Sequence, residues 1–331
     1  MHEFMNFSKK IINEIVKQSP DDKSPVNCLT KMFSMSKETA YRRIRNQIPF
    51  SIEEVVAIAK NYDLSVDELL ELRPSNNFLF NKNLNIEQNT EDIYADLLKS
   101  GIDIMNKLIV SKNAKITVIL NNIPLRFFPY KSLLKLDYYH YMYSIGKISL
   151  VTTLYSDIEL PSAINDLHDK SASCFSRLNN ITCIVDSMLY SNIIKKIEYY
   201  HQLKVISNED LRVLQSELFD LLALYENLLR NGSNNSGSGY IFYYSCFNLE
   251  SNSIFCEYDN NSLLQFWIYP ESPVIIKNNP QICDIHKRWI DSKLRNSMLI
   301  TRTSDIHQIE MLRRVHQQIS ELTHATNYSV I

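Results

Sequence analysis

The chain has 331 residues, room for two domains, with 45% hydrophobic and 22% charged residues, the composition of an ordinary globular protein. Its formal net charge is −2, and a division at residue 75 leaves 11 basic against 11 acidic residues in front and 24 against 26 behind. That balance excludes a global basic field, so affinity for nucleic acid would have to come from a local cluster. Five glycines, three of them within residues 231–239, exclude a G-x-G-x-x-G nucleotide loop, a Walker A loop and a G-x-S-x-G elbow.

In chain order, Phe4 to Gln18 reads as an amphipathic helix with Phe4, Phe7, Ile11, Ile12 and Ile15 on one side. Helices over Asn27–Phe33 and Ser36–Gln47 follow, joined by a tight Ser34–Met35 connection. Pro49 ends the second, because the residue before a proline is pushed out of the α region. Ser51 and Ser65 each open a further helix, with Glu54 and Glu68 three positions on as capping-box partners. Residues 74–90 are polar, Asn-rich and without helical period. The reading is therefore an all-α domain at 1–75, a linker at 76–90 and a larger α+β domain at 91–331.

In that larger domain Ile93–Val110 reads as helix and Lys115–Leu120 as a buried strand, followed by a turn at Asn121–Asn122. Tyr138–Tyr143 belongs to a helix. Two long helices are expected, over Ala172–Leu203 with a break and over Asn208–Leu229. Aromatic strands follow at Tyr240–Asn248, Ser253–Tyr258, Leu264–Tyr269 and Val274–Lys277. A helix at Ile282–Leu294, a strand at Met298–Thr301 and a last helix from Asp305 to Leu322 complete the domain.

Cys28, Cys174, Cys183, Cys246, Cys256 and Cys283 form no C-x-x-C pair and no zinc-spaced cluster with histidine, and read as reduced core thiols. No signal peptide interrupts this picture, and no apolar run approaches the ~20 residues that cross a bilayer. A cytoplasmic protein without a membrane partner is expected. His307, His316 and His324 are nine and eight residues apart, which does not set them as adjacent helical metal ligands. Asp157 with Glu159, and Asp166 with Asp169, lack an accompanying nucleophile. No metal, cofactor or catalytic residue is therefore assigned. Tyr138, Tyr139, Tyr141, Tyr143, Tyr199, Tyr200, Tyr240, Tyr243 and Tyr244 either line an effector pocket or fill amphipathic core edges.

The functional signal lies between Cys28 and Leu70. On a helical wheel of about 100° per residue, Ser36–Gln47 puts Ala40, Ile44 and Ser36 on one face. Glu38, Arg42, Arg45 and Asn46 lie opposite, with Thr39 and Tyr41 at the borders, and Lys37 and Arg43 sit near the buried edge, within reach of phosphates. An apolar spine behind an Arg-bearing face suits a helix in the major groove, where arginine reads guanine bidentately. The same face could be simply solvated, as most charged helical faces are. Glu38 could accept from cytosine N4 or serve as a favourable anion in the first helical turn.

Met-Ser-Lys-Glu-Thr-Ala-Tyr-Arg-Arg-Ile (35–44), Ala-Ile-Ala-Lys-Asn-Tyr-Asp-Leu-Ser (57–65) and Ser-Val-Asp-Glu-Leu-Leu (65–70) together resemble the helix-turn-helix domain of λ-repressor-like (Cro/repressor type) bacterial regulators. Ser34 or Met35 stands where that family usually has glycine, and the recognition helix reads one residue longer than its commonest form. The resemblance implies sequence-specific binding to double-stranded DNA, with Ser36, Lys37, Glu38, Thr39, Tyr41, Arg42, Arg43, Arg45 and Asn46 at the interface. It also implies a homodimer, with 91–331 supplying dimerisation, sensing of a small-molecule or protein effector, or both. Two other readings stand beside it: an enzyme in 91–331 that the head targets to DNA, and a head that binds protein.

Overall fold

In the computed structural model, which describes residues 9–13, 15–16, 24–62, 90–250, 252–269, 272–303 and 306–322, the chain divides into two units, residues 1–83 and 84–331. The front unit is helical. Residues 9–13 and 15–16 are in helix and supply Ile11 and Ile15, both without solvent exposure. Helix α1 (Pro25–Phe33) starts from Ser24, whose hydroxyl accepts the Val26 N–H at 3.2 Å. Pro25 occupies the first turn, where its missing N–H costs nothing. The helix therefore starts two residues before the expected Asn27, at this Ser-Pro signal. Ser34, with φ at 50°, turns the chain into α2 (Lys37–Ile44), and α3 (Ile52–Tyr62) follows. Ala40 packs with Ile11, Ile15, Val26, Leu29, Val55 and Ile58 in one core. Phe4, Phe7, the Ser65–Glu68 cap, the helix expected at 65–70 and residues 76–89 of the linker lie outside the described residues.

The second unit contains α4 (Thr90–Val110), β1 (Lys115–Leu120), a 3₁₀ turn (Leu125–Phe127), α5 (Lys131–Ser144), α6 (Ser162–Ser176), β2 (Ile181–Val185), α7 (Met188–Gln202) and α8 (Asn208–Asn231). Then come β3 (Tyr240–Ser245), β4 (Ser253–Tyr258), β5 (Asn261–Tyr269), β6 (Ser272–Lys277), α9 (Pro280–Arg295), β7 (Ser297–Leu299) and α10 (Ile306–Glu321). The sheet order is β6-β5-β4-β1-β2-β3-β7. β1, β2 and β3 pair in parallel, and the flanking pairs are antiparallel.

This mixed sheet corrects the α+β expectation to α/β. The difference traces to β2, Ile-Thr-Cys-Ile-Val, which the sequence pattern places inside a helix over Ala172–Leu203. Ile181, Cys183, Ile184 and Val185 are all buried. A strand covered on both faces shows a continuous apolar run, without the alternation that marks a half-buried one. Helices α5–α6 and α7–α8 are the crossovers that parallel neighbours require.

The strand period of two sorts the core. Ile116, Val118, Ile181, Cys183, Tyr240 and Phe242 pack with residues from α4 to α8 and α10. Ile119, Ile184, Phe255 and Leu264 pack with Cys283 and Ile290 of α9. Tyr138, Tyr139, Tyr141, Tyr200 and Tyr240 are buried, whereas Tyr143 and Tyr199 are exposed. Four of the cysteines are buried and Cys28 is half-buried, but Cys246 is exposed in the bend after β3 and departs from the core-thiol reading. No described helix is long and apolar enough to cross a membrane.

Candidate nucleic-acid interface

Helix α2 is fixed at both ends by its own sequence. The Ser36 hydroxyl accepts the Thr39 N–H at 3.1 Å and lies 2.9 Å from Thr39 Oγ1. The wheel set Ser36 beside Ala40 on the buried face; as the N-cap it stands outside the helix and is exposed. At the other end Asn46 takes φ 59°. Its N–H donates to the Arg43 carbonyl at 2.9 Å, and the Gln47 N–H donates to the Arg42 carbonyl at 2.8 Å. These paired bonds form a Schellman ending, whose left-handed position asparagine tolerates better than most residues. The helix therefore stops at Ile44, ahead of Pro49, and not at Gln47 as expected. It is eight residues long. Arg45 becomes the C-cap and Asn46 lies beyond the helix.

Ala40 carries the buried side of α2. Lys37, Glu38, Tyr41, Arg42 and Arg45 are exposed, and Thr39 and Asn46 are half-buried. The Arg45 guanidinium lies 5.8 Å from the Tyr41 ring centre, near enough for a cation–π attraction. Glu38 sits in the first turn of α2, the position that favours an anion.

Arg43, expected within reach of phosphates from the buried edge of α2, pairs with Glu54 of α3. Its Nη2 donates to Glu54 Oε1 at 2.9 Å, with the two side chains 14% and 15% exposed, and its guanidinium lies 5.8 Å from the Phe50 ring centre. Glu54 Oε2 accepts the Ser51 N–H at 2.7 Å, while the Glu54 N–H donates to Ser51 Oγ at 3.3 Å. The capping box expected from sequence is present, and its acid also pins α2 to α3. A partner eleven residues away left no periodic trace. The Asn46 ending did leave one, an asparagine shortly before a proline.

Residues 24–62 contain six Lys or Arg against three Asp or Glu. This is the local excess of positive charge that the whole chain lacks. With Arg43 and Glu54 joined, the charge on the open side of α2 comes from Lys37, Arg42 and Arg45 against Glu38.

Residues 9–87 match the BetR domain. This domain is of the helix-turn-helix regulator class, and the match suggests a DNA-binding regulatory role for the front unit. The BetR span takes in α1, α2 and α3 and does not single out the Cro/repressor type. No curated protein and no solved structure matches the chain.

Proposed function

We propose that this chain is a sequence-specific DNA-binding transcription regulator in which α1 and α2 act as a helix-turn-helix of the λ-repressor-like kind. The observation that carries the reading is the split of α2: Ala40 is buried, while Tyr41, Arg42 and Arg45 face open surface. In this arrangement α2 enters the major groove and Arg42 reads a guanine edge. Lys37 and Arg45, with the hydroxyls of Ser36 and Thr39, hold the phosphate backbone. Arg43 and Glu54 set the angle at which α2 is presented.

The chain works as a cytoplasmic homodimer, and the α/β unit supplies dimerisation, effector sensing or both, with no catalytic role. Selection of binding sites from a random duplex pool by the full-length protein tests the proposal. Convergence on one motif supports it. Binding without enrichment, or no binding, removes it and leaves the head as a protein-interaction module.

A further inference from the structure

Strand β5 sends alternate side chains to the two faces of the sheet. Leu264 and Phe266 pack toward α9, while Leu263 faces the α4–α8 side. On that same side Gln265 and Trp267 line an apolar cavity of about 100 Å³ between the sheet and the helices. Among the described residues Gln265 is the one amide in the lining, and no Asp, Glu, Lys, Arg or His accompanies it.

The surroundings leave that amide nothing to pair with. Directly across the ladder stand Ile254 of β4 and Ile275 of β6, neither of which offers a polar side-chain atom. Gln265 is 9% exposed, and its side chain has no hydrogen-bond partner among the described residues. Buried polar groups are ordinarily paired, and a β-branched or aromatic residue suits a strand better than glutamine. Water is a poor substitute, because a buried water needs roughly two to four polar partners and stays out of hydrocarbon cavities. Nor is the amide sealed off. The Tyr225 hydroxyl on the same cavity is closed to contact, whereas the Gln265 oxygen and nitrogen keep open surface.

We propose that Gln265 makes this cavity a site for one small, neutral carboxamide or lactam. The Gln265 NH2 donates to the ligand carbonyl, its oxygen accepts the ligand N–H, and the apolar body of the ligand fills the hydrocarbon space. The size suits one small ring, since an engineered cavity of ~150 Å³ holds benzene. The absence of charge in the lining excludes an ionised ligand, because a buried charge needs a partner. The inference rests on the sensing role given to the α/β unit. Its test uses no DNA, so its failure and that of the DNA-binding reading are separable.

The experiment is calorimetric titration and thermal melting of the full chain with 2-pyrrolidone, cyclopentane and pyrrolidine: a lactam, its hydrocarbon counterpart and an ionised amine of the same ring size. 2-Pyrrolidone is expected to bind and raise the melting temperature, and pyrrolidine should not bind. Gln265→Leu should weaken 2-pyrrolidone about tenfold, the worth of one hydrogen bond, while cyclopentane binds at least as well as before. Without ligand the same variant should melt above the native chain, because it removes an unpaired buried amide. If Gln265→Leu does not fold, Gln265→Met, unbranched and adaptable, gives the same readings. Failure of 2-pyrrolidone to bind, equal binding of pyrrolidine, or undiminished lactam binding in the variants overturns the proposal. Variants that melt below the native chain would mean that Gln265 is already paired, and overturn it as well.

Discussion

Arg43 of α2 donates to Glu54 of α3 at 2.9 Å, and the same carboxylate accepts the Ser51 N–H that opens α3. One side chain thus starts a helix and fixes its neighbour. With both partners about 15% exposed, the pair is less screened than a surface ion pair. Glu54→Ala is expected to destabilise the front unit by ~1–3 kcal/mol through loss of the cap and of the charged hydrogen bond. Arg43→Ala should lower stability as well and, by loosening the angle of α2, weaken discrimination among sites while leaving the salt slope as it is. Urea unfolding, read beside DNA titrations at several salt concentrations, checks this. An Arg43→Ala protein of full stability whose salt slope falls by about one unit would place Arg43 on a phosphate.

Arg42 and Lys37 should separate reading from anchoring. Arg42→Ala is expected to cost ~1–3 kcal/mol on the preferred site and to relax selection at one base pair. Lys37→Ala should weaken all sequences alike and lower the salt slope by about one unit. Competition titrations on single-base variants of the selected site distinguish the two. Equal, sequence-independent losses would mean that α2 meets DNA by another face.

The front unit has a core of its own around Ala40, so residues 1–83 expressed alone should fold. Bound to a two-fold operator, the intact dimer makes its second half-site contact effectively intramolecular. The fragment is therefore expected to be monomeric and to bind ~10²–10⁴-fold more weakly with the same base preference. Sedimentation and titrations on full and half operators test this. A monomeric intact chain, or a fragment of equal affinity, would remove the dimer from the proposal.

Stability should fall with acid across a defined window. Burial, joined by Lys196, pushes the His140 pKa down to about 4 against the pull of Asp137, and burial alone takes His286 to about 4. His140 Nδ1 lies 2.6 Å from the Tyr200 hydroxyl, and His286 Nε2 lies 3.3 Å from Ser253 Oγ. Between the unfolded value near 6.5 and about 4, the unfolded chain takes up protons that the folded chain refuses. Stability is thus fully present above about pH 6.5 and is lost as pH falls toward 4. Urea midpoints at pH 7 and 4.5 should differ in the native chain and draw together in a His140→Gln, His286→Phe variant. An unchanged gap in that variant would assign the acid loss to other groups.

The stripe Ile306, Ile309, Leu312, Val315 and Ile319 shows how far periodicity carries. Spacing marks it as one face of a helix, but could not say what covers that face. In the fold Val315 and Ile319 are buried in the unit's own core, while Ile306 and Ile309 stay exposed.

What the sequence determined alone was local. The Ser51–Glu54 cap, the bounds of β1 and the start of α8 at Asn208 each follow from residues within one turn or one strand of each other. Capping and alternation are short-range effects, so a single chain displays them. Tertiary structure decided what depends on partners far along the chain. Pairing of β2 between β1 and β3 buried it on both faces at the parallel centre of the sheet, and Glu54 gave Arg43, at the buried edge of α2, a partner eleven residues away. The cavity beside Gln265 exists because α4 and α8 close over strands that lie between and beyond them in sequence. Contacts across such separations leave no period behind, and their geometry is set by packing.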